Sequence, residues 1–157
     1  MLNLEDGKTL ISAYKYIERT CEAIDKYILN HAITYGPDPS LYSTYDVINN
    51  IVELMDRKIK LINLKLMIDE TIKDMPSVEK QVLILKMRFR TSVKNIQEIL
   101  KLPSERTTFR RIESALTNFV MRLNANNKVK EIESFIRSEK WIANIKKSFE
   151  KQLACNV

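Results

Sequence analysis

A chain of 157 residues, 45% of them hydrophobic, is long enough to bury a core in one domain or two small ones. Two Gly and four Pro argue against a β-rich fold with many turns, and no run of about 18 or more apolar residues offers a membrane span. The net charge of +6 is unevenly spread: residues 80–130 hold twelve Lys/Arg against three Glu, whereas residues 1–79 hold nine Lys/Arg against thirteen Asp/Glu. A local excess of that density is the electrostatic footprint expected of a nucleic-acid partner.

The expected fold is all-α. The opening MLNLEDGK has neither a basic n-region nor an apolar h-region, so no signal peptide is expected. From about Asp6 to Asn30, Leu10, Tyr14, Ile17, Cys21, Ile24 and Ile28 recur at alternating steps of four and three, a heptad seam. The stretch Tyr35-Gly36-Pro37-Asp38-Pro39-Ser40 then stops the helix and makes a loop. From about Ser43 to Lys73 comes a second seam, Ile48, Val52, Met55, Ile59, Ile62 and Leu66, widened by Ile51, Leu54, Leu61, Leu64 and Ile68. The economical way to bury both seams is an antiparallel hairpin over residues 1–74. It serves either as plain structure or as a surface for homodimerisation or RNA polymerase docking.

Residues 75–123 read as three short helices. Pro76 disfavours helical geometry at Met75, and Ser77 caps the first of the three. Val78, Val82, Leu85 and Phe89 line one face of that helix. Ser92 caps the second, whose inner face is Val93, Ile96 and Leu100, and Leu102-Pro103 turns the chain. Ser104 caps the third, with Thr108, Ile112, Ala115 and Phe119 inward. That phase turns Glu105, Arg106, Phe109 and Arg110 outward. Arg106 and Arg110, one turn apart, suit bidentate contacts to guanine, and Glu105 suits cytosine or the positioning of Arg106. Phe109 either meets a thymine methyl or packs on the last segment. Ser104, Thr107 and Arg111 suit phosphate, with Lys94, Lys101, Arg88 and Arg90 holding the backbone beside the groove.

After the polar break Asn124-Ala125-Asn126-Asn127, residues 124–157 carry an amphipathic helix from Lys128 to Leu153, with Ile132, Phe135, Ile136, Ile142, Ile145, Phe149 and Leu153 on one side and Ser138 as a point of interruption.

No enzyme is expected. The chain has one histidine, His31, and no Gly-rich phosphate loop. Asp69, Glu70 and Asp74 read as a solvated patch, and Cys21 and Cys155 lack metal-ligand spacing, so no metal or cofactor is expected. Cys21 behaves as a small hydrophobe, and free cysteines suit a reducing cytoplasm.

The runs KQVLILKM, SVKNIQEIL and SERTTFRRIESAL resemble the fourth conserved region of bacterial sigma factors. They are more similar still to the helix-turn-helix of small phage late-gene transcription regulators of the RinA and ArpU kind. The resemblance covers about a third of the chain. It departs at Gln97, where a small residue is usual, and at Lys101-Leu102-Pro103, a longer turn without Gly. It implies promoter or operator recognition by Arg106, Phe109 and Arg110, supported by Ser104, Thr107 and Arg111. The expected function is thus a sequence-specific, double-stranded-DNA-binding transcription regulator. Rival expectations are a sigma-type polymerase subunit, a DNA-packaging adaptor like a phage small terminase subunit, and a module that binds an acidic protein.

Overall fold

The computed structural model describes residues 1–35 and 44–154; the Gly36–Ser40 break and Cys155 lie outside them. The protein is all-α. Among the described residues there are seven helices: α1 (Leu4–Tyr35), α2 (Thr44–Lys73), α3 (Ser77–Phe89), α4 (Val93–Ile99), α5 (Glu105–Ala125), α6 (Val129–Ser138) and α7 (Lys140–Ala154). None is long and apolar enough to cross a membrane. Packing groups them differently from the sequence segments: Met1–Lys15 belongs with Met67–Val157 in one compact unit, and Tyr16–Leu66 forms another.

In the larger unit, α5 packs on α3, α4 and α6, and α6 packs on α7. Its 21 residues carry two inward stripes: Thr108, Ile112, Ala115 and Phe119, then Leu116, Val120 and Leu123. The first turns of α1 reach the second stripe. A reciprocal capping box starts α1 there: the Asn3 N–H donates to Asp6 Oδ2, and the Asp6 N–H donates to Asn3 Oδ1, both at 2.9 Å. Lys146 of α7 pairs with the buried Asp6 carboxylate at 2.7 Å. Asn124 exchanges two 2.9 Å hydrogen bonds with the backbone of Leu2. Asn124, which the sequence puts at the start of a polar break, is instead in the last turn of α5, and from there it anchors the start of the chain.

The last segment is broken at Glu139, whose φ of −80° and ψ of 101° leave the helical region directly after Ser138. Ile132, Ile136 and Ile142 are buried, Phe135, Ile145 and Phe149 half-buried, in line with the predicted face. The side chain of Leu153 lies outside the described residues.

In the smaller unit, Lys58 bonds Asp25 at 2.6 Å, and Lys65 pairs with Glu18. A step of two turns up α1, from 18 to 25, matches two turns down α2, from 65 to 58, so the helices run antiparallel. The α1 seam is inward as expected: Ile17 and Ile24 are buried, Cys21 and Ile28 half-buried. The α2 seam corrects the expectation. Ile48, Val52, Met55, Ile59, Ile62 and Leu66 are all 40–56% exposed, while Leu61 and Leu64 of the widening set are buried. At 3.6 residues per turn the buried Leu61, Leu64 and Ile68 lie nearly half a turn from the exposed stripe of α2. A single partner helix covers only one of these two sides.

Candidate nucleic-acid interface

Three local features shape the surface around α5. Ser92 Oγ accepts the Asn95 N–H at 3.2 Å, so α4 begins where the sequence places its cap. After α4 the chain closes in a Schellman motif: the Lys101 N–H donates to the Glu98 carbonyl at 3.3 Å, and the Leu102 N–H to the Gln97 carbonyl at 2.9 Å. Lys101 itself takes the left-handed conformation, φ 51°, that usually falls to Gly. The turn that departs from the sigma-like pattern is thus a regular helix ending formed without its usual residue. Third, Ser104 Oγ accepts the Thr107 N–H at 3.1 Å, and the Ser104 carbonyl accepts both the N–H and the hydroxyl of Thr108 at 3.0 Å.

The phase of α5 is set by these anchors. Thr108, Ala115 and Phe119 are fully buried and Ile112 nearly so. Glu105, Arg106, Phe109, Arg110 and Arg111 consequently face outward and are exposed, with Ser104 and Thr107 half-buried. Phe109 is 58% exposed, so of its two alternatives, packing on the last segment is not the one taken. Lys94, Lys101 and Arg90 are exposed. Of Arg88 only the backbone, near the end of α3, lies among the described residues. Among those residues no ion pair engages Lys94, Lys101, Arg106, Arg110 or Arg111. Arg90 ends α3 in a left-handed conformation, φ 48°.

Two expectations for α3 need correction. Its cap position is Pro76, with no side-chain cap bond, and Ser77 is already the first helical residue. Val82, Leu83 and Met87 are buried, whereas Val78 and Phe89 are 45% and 69% exposed. Phe89 is the last residue of α3, where the chain is already turning away, and Leu83 and Met87, one turn apart, complete the stripe with Val82.

Two features escaped the sequence reading. Glu79 of α3 accepts hydrogen bonds from Ser114 and Asn118 of α5. It shares with Arg110 and Glu113 the lining of an open groove that also includes Thr117 and Met121. The second is Ile99, 57% exposed on the outer side of α4. Its place off the Val93–Ile96–Leu100 stripe was the available signal.

The residues considered for chemistry are dispersed. His31 stacks on Tyr27, with ring centroids 5.5 Å apart. Asp69 accepts the Tyr14 hydroxyl at 2.7 Å. Burial raises the Cys21 thiol above its ordinary value, with Lys58 pulling the other way. Among the described residues no three His, Cys, Asp or Glu side chains gather as metal ligands. No protein-family profile, curated protein or solved structure matches the chain.

Proposed function

We propose that this protein is a sequence-specific DNA-binding transcription regulator that reads the major groove with the outward face of residues 104–119. The carrying observation is the combination on α5 of a side-chain-capped N-terminus, a fully buried inner stripe, and exposed Arg106, Arg110 and Arg111 outside any ion pair among the described residues. The resemblance of SERTTFRR and its flanking helices to sigma-like phage regulators points the same way, as does the concentration of basic residues over 80–130. Arg106 and Arg110 make the base contacts, Glu105 positions Arg106, and Phe109 meets a thymine methyl. Ser104, Thr107, Arg111, Lys94, Lys101, Arg88 and Arg90 hold phosphates. The role is non-catalytic and cytoplasmic, with RNA polymerase as the protein partner.

The test is selection of bound duplexes from a random pool, then titration of the enriched site. Changing Arg106 and Arg110 together to Ala removes two bidentate contacts worth about 1–3 kcal/mol each, a loss of at least about thirtyfold. Helical circular dichroism should stay unchanged, since both side chains are exposed. Undiminished affinity in the double variant refutes the assignment.

A further inference from the structure

Helices α6 and α7 carry a basic surface that the proposed α5 contact does not use. Lys130, Ser134 and Arg137 follow steps of four and three along α6, and Lys140, Asn144, Lys147 and Lys151 follow steps of four, three and four along α7. All seven side chains are exposed. Arg137 ends the first stripe and Lys140 begins the second, three residues on and so at most about 11 Å away along the chain. The two stripes therefore meet at the Glu139 break and form one band. Among the described residues no ion pair engages Lys130, Arg137, Lys140, Lys147 or Lys151. The acids of this segment are kept off the band. Glu133 pairs with the Met1 ammonium, and Glu139 is buried. Glu131 and Glu150 lie about a quarter of a turn from the stripes of their helices at 3.6 residues per turn.

The make-up of the band selects its partner. It holds no apolar or aromatic side chain, so it lacks the anchors that protein interfaces bury, where Lys is depleted and aromatic residues are enriched. It has no ring on which the bases of a single strand would stack. The apolar faces of both helices are taken up inside the protein, with Ile132, Ile136 and Ile142 buried, which leaves nothing to enter a lipid surface. Lys, Arg, Ser and Asn are the side chains that hold duplex phosphates. The α7 stripe runs about 16 Å at 1.5 Å per residue, or some five base-pair rises of about 3.4 Å. The band also belongs to the same compact unit as α5, which packs on α6.

We infer that α6 and α7 hold the phosphate backbone of duplex DNA without regard to sequence, as a second contact beside the α5 face. The inference rests on the DNA reading in taking DNA as the polyanion, but it does not need α5 to read bases. The test is binding of the full chain to a random-sequence duplex of about 30 base pairs, titrated between about 50 and 200 mM salt. Changing Lys140, Lys147 and Lys151 together to Gln removes three phosphate contacts. The salt slope should become shallower by about 2.7 units, so that the wild type loses roughly fortyfold more affinity than the variant across that range. Helicity should be unchanged, since the three side chains are exposed and Gln is as good a helix former as Lys. A charge-matched control, Lys26→Gln, Lys60→Gln and Lys73→Gln, also at exposed helical positions, should keep the wild-type slope. An unchanged slope in the band variant, or an equal change in the control, overturns the inference. A wild type that binds no duplex overturns it together with the DNA reading. Failure of base reading by α5 alone looks different: no site is enriched, yet the band variant and the wild type still differ in slope.

Discussion

At Gly7 a single missing carbon matters. A Cβ there would sit 2.5 Å from Val120 Cγ2, well inside van der Waals contact. Val120 is β-branched and held in one rotamer within α5, so it cannot swing away. Helix propensity favours Ala over Gly by about 1 kcal/mol, but overpacking costs about 1–3 kcal/mol. Gly7→Ala should therefore lower stability despite the better helix former, read as a fall in Tm; a rise would mean that α1 shifts to accommodate it. Lys101 is the reverse case. Its left-handed φ of 51° costs a side-chain-bearing residue about 1 kcal/mol that Gly avoids. Lys101→Gly should raise stability by about that amount in denaturant titration. If Lys101 holds a phosphate, the same change should make the salt slope of DNA binding shallower by about one unit. Neither site was legible beforehand: a Gly near a helix start and a Lys in a turn have no distinguishing pattern until the opposing atoms are placed.

At the scale of elements, period and capping chemistry carried most of the information. The cap at Ser104 and the inward set Thr108, Ile112, Ala115 and Phe119 stand as their spacing predicts, because one apolar stripe on a helix with one set of neighbours has one way to be buried. Ser104→Ala should cost about 0.5–2 kcal/mol by orphaning the Thr107 N–H. On the proposed DNA reading, Ser104→Asp should restore the stability while leaving DNA affinity impaired, since the new carboxylate would face phosphate; thermal melts paired with binding titrations of both variants separate the two roles. Where a helix has two stripes, periodicity fails. The spacing on α2 marks the Ile48–Leu66 stripe for burial, yet α1 covers the stripe of Leu61 and Leu64 instead. The ion pairs of Lys58 and Lys65 with Asp25 and Glu18 lie on the covered side. On α3, Phe89 matched the period and still points outward, because a stripe loses meaning at the last residue of a helix.

For the whole molecule, the uneven charge is the property with the most direct measurable consequence. On the proposed DNA reading, six or so phosphate contacts from the cations around α5 would cost about a thousandfold in DNA affinity between 50 and 200 mM salt. A flat salt dependence would mean that the basic face serves another partner. The division of the chain is also a whole-molecule property. Residues 1–15 pack with α5, α6 and α7 through Met1, Leu2, Asp6 and Gly7, although the sequence assigns them to the hairpin. The reason is the second inward stripe of α5, Leu116, Val120 and Leu123, which gives that helix more apolar surface than α3 and α4 cover.

The helical class, the principal breaks, the caps of α4 and α5 and the outward phase of the arginines were all written in the order of residues. They depend on short-range chemistry: hydrogen bonds within a turn, and a period set by 3.6 residues. Three features needed the folded chain: which of two α2 stripes is covered, where the first fifteen residues pack, and that Lys101 takes the place of a glycine. These depend on which surfaces meet across long separations in the chain, where several apolar faces compete and local pattern does not rank them.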